Sequence, residues 1–386
     1  MEILFWISTL TLVFVYAGYG MILWIANKFN SKVNTTKLQD NELPAVAILI
    51  AAYNEEEILD EKLKNTFNLD YPKELLKVYI VSDGSTDRTN EIAGNYNSVS
   101  LLTQIARKGK TAAINRAMPF IKEPITVFTD ANVMLNRDAL KELIKHYSDE
   151  KTGGVSGEKR VLEKTDAAAA ATEGLYWKYE SFLKNQDAQL SSLIGAAGEL
   201  FSIRTHLFKE VPEDTLLDDF MISMNILRQG FRLAYEPKAF ATENPSLNTA
   251  EELKRKVRIG AGGLQSVLRL TDFLNPFRYG LKSLQYFFHR FSRWIVTPAM
   301  IPLALLSNIM IAEEGTIYTI LLAAQLLFHS AALVGWMAER KNVRIKFFFV
   351  PYYFDFMHYC IIAGWIKYFS GKQQAAWNKA IRLATN

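Results

Sequence analysis

Cysteine is all but missing from this chain of 386 residues. Cys360 is the single one, which excludes an internal disulfide and any metal site built on several thiolates. A reducing compartment suits the soluble part. Charge of one sign is not in excess either: 44 Lys and Arg against 40 Asp and Glu leave a net +4, too little for a nucleic-acid surface. No basic run is interleaved with aromatics as a base-stacking surface requires, so nucleic acid is set aside as a partner. Internal repeats and low-complexity tracts are absent. Hydrophobic residues make up 49% and charged ones 22%, a mixture that suits a soluble domain joined to membrane segments.

Some stretches lack charge altogether. Ile3 to Ala26 is 24 residues without one, more than the roughly 20 a helix needs to span a bilayer. A cleaved signal peptide is the competing reading, but Glu2 stands where a basic n-region belongs and the apolar run is too long. Lys28, Lys32 and Lys37 follow. Basic residues stay on the cytoplasmic side, so the N-terminus is expected outside and the next domain inside. Trp294 to Ala312 and Gly315 to Ala338 are likewise uncharged and flank Glu313-Glu314, which predicts a hairpin with its acidic turn outside. Phe347 to Ile366 is long enough to cross again but carries Pro351, Asp355 and His358. A crossing there puts the basic tail (Lys367, Lys372, Lys379, Arg382) outside, against the charge bias; a re-entrant or interfacial segment is the alternative to the crossing expected here.

Between these runs lies the soluble domain. Val46 to Ile50 is continuously apolar, as in a buried parallel strand. Ala51 to Glu55 is the loop after it, and a helix is expected from Glu55 to about Phe67 with Asn54 as its cap. Val78 to Ser82 reads as a second strand that ends at Asp83-Gly84-Ser85, and a third lies near Val99 to Thr103. Ile125 to Thr129 reads as a fourth, which ends at Asp130-Ala131-Asn132. Repeated strand, loop and helix units predict an α/β fold with a doubly wound sheet. Val155 to Val161 reads as a fifth strand, Asp166 to Gln189 as a long helix, and Gly195 to Arg204 as a turn and then a strand. The helix opened by Leu217 to Phe220 is expected to end at Gly230. From about Glu251 to Trp294, basic, Gly and aromatic positions alternate as in helices lying in the membrane interface. The expected layout is a transmembrane helix over 1–27, a cytoplasmic domain over 44–245, interfacial helices over 250–293, two or three spans over 294–370 and a basic tail over 371–386.

The chemistry is expected at strand ends, where open α/β sheets bind ligands. Asp130 with Asn132 two residues on suits a hard divalent cation carrying a diphosphate; the bland reading is a helix cap. Asp83 can accept from a nucleobase or a ribose hydroxyl, or form a simple Asp-Gly turn. Arg107, Lys108 and Lys110 around Gly109 form a phosphate site or a solvated charge run. Asp218 and Asp219 either stabilise a helix dipole or provide a general base. Arg255-Lys256-Val257-Arg258 binds anionic lipid head groups, by frequency the safer reading, or clamps a departing diphosphate. His206 and His358 read as structural, and Trp177 and Tyr179 as packing or interface anchors.

In their order, Ala52-Tyr53-Asn54-Glu55, Asp83-Gly84-Ser85, Lys108-Gly109-Lys110, Asp130-Ala131-Asn132, Asp218-Asp219 and Arg255 to Arg258 resemble the membrane-bound family 2 glycosyltransferases of GT-A fold. Their members include hyaluronan, cellulose and poly-N-acetylglucosamine synthases. The resemblance covers roughly Pro44 to Arg290 and the membrane layout. It implies a GT-A nucleotide-sugar domain in which Ala52, Tyr53 and Glu55 line a uridine pocket with Asp83, and Lys110 approaches the nucleotide. Asp130 and Asn132 match the DxD motif that holds a UDP-sugar through Mg²⁺ or Mn²⁺, and Asp219 of the acidic pair matches the catalytic base. Gly195, Gly198 and Glu199 match the turn lining the acceptor site, and Arg255 and Arg258 match the QxxRW motif at the diphosphate.

Two departures stand out. Asn132 offers only a neutral amide oxygen, and Arg255 to Ile259 lacks both the Gln and the Trp of QxxRW, a motif that accompanies processive polymerisation. The Arg-Trp pair in His289 to Trp294 is not assigned that role. The expected protein is an inverting enzyme of the plasma (inner) membrane with a cytoplasmic catalytic domain. Its partners are a UDP-sugar, a glycan or lipid-linked acceptor and membrane lipids, with an oligomer or export partner open. Two other readings compete: a sugar nucleotidyltransferase, which calls for a Gly-rich basic loop after the first strand, and a non-catalytic nucleotide-binding membrane scaffold.

Overall fold

The computed structural model describes residues 1–30, 42–161, 167–244, 249–341 and 345–373. The linker lysines Lys32 and Lys37 and the tail residues Lys379 and Arg382 lie outside the described residues. The chain divides into two compact units. One is helical (Met1–Phe29, Glu163–Gln186, Glu252–Gln373), and the other holds the sheet (Asn30–Leu162, Asp187–Glu251, Gln374–Asn386).

The sheet has eight strands: β1 Val46–Ala52, β2 Leu76–Ser82, β3 Val99–Leu102, β4 Ile125–Asp130, β5 Val133–Leu135, β6 Thr152–Val161, β7 Leu200–Arg204 and β8 Arg232–Glu243. Their order is β3-β2-β1-β4-β7-β6-β8-β5. β1 is paired on both sides, parallel to β2 and to β4, and all seven of its residues are buried. That position explains its unbroken apolar run. The register sets Ala52 beside Ser82 and Ala51 beside Asp130, so the carboxyl ends of β1, β2 and β4 share one edge. The other half of the sheet is mixed. β7 runs antiparallel to β4 and β6, β6 and β8 are parallel, and β5 is antiparallel to β8.

Two strands escape the sequence patterns. β5 is three residues long. β8 carries Pro237 in its middle, where the register with β6 slips between Gly157 and Glu158. A proline inside a strand sits at an edge or a bulge, and here it breaks the period that would have revealed the strand. The first helix also differs from expectation. It runs over Leu59–Phe67 after a turn, and Asn54 does not cap it. Asn54 takes a left-handed conformation (φ 54°), and its side-chain oxygen accepts from Thr86 N at 2.8 Å, which joins the loops after β1 and β2. Asn is among the few residues that tolerate this conformation.

Among the described residues of the helical unit, three helices are long and apolar enough to cross a membrane: Glu2–Lys28, Leu281–Ile311 and Thr316–Arg340. The second begins at Leu281, well before Trp294, because its first turns pass through a wound-out stretch (Phe287–Val296) whose polar residues are satisfied within the unit. There Glu180 accepts from Arg293 Nη1 at 2.7 Å and Arg290 Nη1 at 3.2 Å, with His289 Nε2 at 3.2 Å. Lys346–Phe369 is one continuous helix but is not among the three. It crosses Thr249–Arg269 where Gly260 and Gly364 meet; a Cβ on either would run into the other helix's backbone.

Candidate active site

The site assembles at the shared edge of β1, β2 and β4. Asp83 follows β2 and is fully buried. One carboxylate oxygen accepts from Gln104 Nε2 at 2.8 Å and Lys108 N at 2.9 Å, the other from Gly109 N at 2.7 Å. The next residue is Gly84, at φ 71°, and a Cβ there would fall 2.9 Å from Arg107 N and from Ile105 O. Only glycine suits both the dihedral and the approach. Asp83 thus wraps the 104–109 loop around itself, and the helix Lys110–Ala117 starts from that anchor.

Lys110 is aimed by this arrangement. Its ammonium donates to Asp130 Oδ1 at 2.7 Å and stands 3.5 Å from Asp218 Oδ2. Burial works against the lysine's charge, but Asp130 and Asp218 outweigh it and raise the Lys110 pKa. Asp218 Oδ2 is buried and accepts no hydrogen bond. Beside it, Asp219 is pushed up to about 7, first by burial and then by the neighbouring Asp218 charge, with Lys110 opposing. Asp219 still keeps part of its surface open. Both acids start the helix Asp218–Arg228, where the amide ends favour negative charge.

The loop before β7 closes against this pair. Gly195 sits at φ 84°, and a Cβ there would overlap the Phe220 ring; at Gly198 a Cβ would reach 3.0 Å from Asp219 Oδ2. The side chain of Glu199 is ion-paired with Lys159, which also holds Glu243. Tyr53 and Arg107 stack across the edge, guanidinium to ring centroid 3.8 Å. Ala52 is buried at the end of β1, and Glu55 is also buried, its backbone N–H donating to Thr89 Oγ1 at 2.8 Å.

Of the residues expected from the sequence, the sheet unit therefore holds Ala52, Tyr53, Glu55, Asp83, Lys110, Asp130, Asn132, Gly195, Gly198, Glu199, Asp218 and Asp219. Arg255 and Arg258 stand on Thr249–Arg269 in the helical unit, where Arg255 pairs with Glu252 at 3.3 Å. Lys62 was not foreseen. It is fully buried, and burial pushes its pKa down to about 7 although the Asp130 charge opposes this. A signal did exist: Lys62 is the one charged residue on the buried face it shares with Leu59, Leu63 and Thr66.

Over residues 44–262 the chain matches the family described as Glycosyltransferase like family 2. It is 24% identical to the probable glycosyltransferase YdaM of Bacillus subtilis (strain 168), over 98% of this chain and 97% of that protein. It is 27% identical to a beta-monoglucosyldiacylglycerol synthase of Nostoc sp. (strain PCC 7120), over 67% of this chain and 58% of that one. With the poly-beta-1,6-N-acetyl-D-glucosamine synthase of Staphylococcus aureus (strain COL) the identity is 26%, over 62% and 58%. The chain therefore spans somewhat more than half the length of the latter two. Among solved structures, a mannosyltransferase from Pyrobaculum calidifontis in complex with GDP-Man and Mn²⁺ superposes with a TM-score of 0.71 at 22% identity, over 96% of this chain and 100% of that one. The two share the GT-A fold. The nucleotidyltransferase and scaffold readings give way, because the family match takes in more than half of the chain and makes this protein a member of glycosyltransferase family 2.

Proposed function

We propose that the chain is an inverting, metal-assisted glycosyltransferase that uses a nucleoside-diphosphate sugar, with UDP the favoured nucleotide, and Asp219 as general base. The observation that carries this is the pair Asp219 and Gly198. An acid whose pKa is lifted to about 7 lies against Gly198, which has no side chain to keep an acceptor away. A base poised near neutral pH is what a hydroxyl nucleophile needs. The acceptor oxygen attacks the anomeric carbon as its proton passes to Asp219, and the bond from that carbon to the diphosphate oxygen breaks. One displacement inverts the anomeric centre.

The donor residues fit a cation shared with the diphosphate. Among the described residues no group of three His, Cys, Asp or Glu side chains could hold one unaided. Asp130 and Asn132 with phosphate oxygens would complete the shell, as a cation of this kind commonly does. Asp218 Oδ2 is buried without a hydrogen bond, and the ammonium 3.5 Å from it, Lys110, is shared with Asp130, so a further cation would be accommodated there. When bound, Mg²⁺ or Mn²⁺ neutralises charge developing on the departing diphosphate. Lys110 would hold that diphosphate from the side. Tyr53, Asp83, Ala52 and Glu55 would line the nucleotide.

The acceptor is proposed to be a lipid or a lipid-linked glycan at the membrane, which suits three helices of spanning length. A cytoplasmic catalytic unit on the inner membrane follows from the lysines after the first span. The test is nucleotide release from a panel of UDP- and GDP-sugars by detergent-purified protein with Mn²⁺ and membrane extract. Turnover of one donor, reduced ~10²- to 10⁴-fold in Asp219→Asn, is expected. Unchanged turnover in that variant overturns the assignment of the base.

A further inference from the structure

Asp130-Ala131-Asn132 turns the chain from β4 to β5; Asp130 is still paired beside Ala51 of β1, but Ala131 and Asn132 lie outside the ladder, so something other than strand pairing must hold their shape. The residues on either side of it are Thr129 and Val133, and one ammonium grips both. Lys62 Nζ donates to Thr129 Oγ1 at 3.0 Å and to Val133 O at 2.8 Å. Thr129 Oγ1 uses its own hydrogen on Glu199 O at 2.9 Å, in the loop that closes on Asp219. One turn along the same helix, Asn65 exchanges two hydrogen bonds with the backbone of Leu135, at 3.0 and 2.9 Å. Lys62 and Thr129 are both buried.

We propose that Lys62 is a positioning residue for the donor turn. Through Thr129 and Val133 it sets where Asp130 and Asn132 present their oxygens, and through Thr129 it ties that turn to the Glu199 loop. A merely structural role would be better served by an apolar side chain, since burying an ammonium costs more than its contacts return. The lysine is spent instead on two oxygens, the Thr129 hydroxyl and the Val133 carbonyl, on either side of this turn. This rests on the reading of Asp130 and Asn132 as the metal and diphosphate turn.

Two substitutions separate the possibilities. Lys62→Met keeps an unbranched chain without the charge, and Thr129→Val keeps the shape without the hydroxyl. UDP binding (GDP if the donor panel selects it) is measured by titration calorimetry on the detergent-purified full chain, in Mn²⁺ and in EDTA, beside thermal unfolding. Both variants are expected to lose roughly 10-fold in the Mn²⁺-dependent part of the affinity, the usual size for a residue behind a metal ligand. Binding in EDTA should not move. Folded variants with the wild-type Mn²⁺ increment overturn the proposal. If Lys62→Met does not fold, Thr129→Val decides alone by the same criterion. Asp130→Asn is run in parallel. If it also keeps the increment, the metal-turn reading falls and takes the proposal with it. If it abolishes the increment while the other two keep it, only the role of Lys62 is refuted.

Discussion

Asp219 and Glu236 are acids of the same sheet unit, and burial pushes both toward protonation. One ends near 7 and the other near 2. Glu236 is met by cations and donors: Lys145 Nζ at 2.5 Å, His146 Nε2 at 2.9 Å and Lys238 N at 2.9 Å. Asp219 is met first by another acid, and the nearby ammonium is shared with Asp218 and Asp130. The first arrangement spends its charge on holding β8 and is satisfied without a ligand. The second leaves negative charge uncompensated at an open edge, which is how a site for a proton, a cation or a substrate differs from a structural ion pair.

The largest effect that sharpens this contrast is on activity. Asp219→Asn should abolish nearly all turnover, yet it should be more stable than the parent above pH 7. The sign follows from the raised value: from the ordinary carboxyl range up to about 7 the folded protein keeps a proton that the unfolded chain has lost. Stability therefore falls as pH rises through that window. Thermal unfolding of both proteins at pH 5 and pH 8 checks it.

Next in size is Gly198→Ala. Its Cβ would stand 3.0 Å from Asp219 Oδ2, so roughly a 10-fold or greater drop in turnover is expected, the scale on which small misplacements act. Thermal stability should hardly change. A variant with normal turnover would mean that the acceptor does not approach over this loop.

A third experiment tests the cause of the Asp219 shift. The pH–rate profile should rise with a midpoint near 7, and in Asp218→Asn the midpoint should move to lower pH, because a like charge beside Asp219 has gone. An unmoved midpoint would mean that burial acts alone or that another group titrates.

Glu236→Gln should show the opposite profile and the smallest effect on turnover. Losing a charged acceptor is expected to cost about 1.5–3 kcal/mol of stability at neutral pH, read from chemical denaturation. In the parent, this contribution is full above the ordinary value of 4.5 and is lost as pH falls toward about 2, so the two proteins should converge in acid.

Much of the donor edge is legible in the sequence because it is local. A continuous apolar run, then a turn with Asp, Gly or Asn, describes the ends of β1, β2 and β4 without reference to anything distant. The acidic pair opens its helix where the sequence places it. Long uncharged runs likewise announce spanning helices by length alone. Tertiary structure decided what depends on partners far along the chain. Asp83 holds a loop some 25 residues later. Lys110 lies between Asp130 and Asp218 because β1, β2 and β4 share an edge. β8 exists because β6 and β5 pair with it despite Pro237. Lys62 reads as a misplaced surface lysine until the fold surrounds it with Thr129 and Val133. The reason is the same in each case. Periodicity and turn chemistry are properties of neighbours in sequence, whereas burial and electrostatic pairing belong to neighbours in space, and only the folded sheet says which those are.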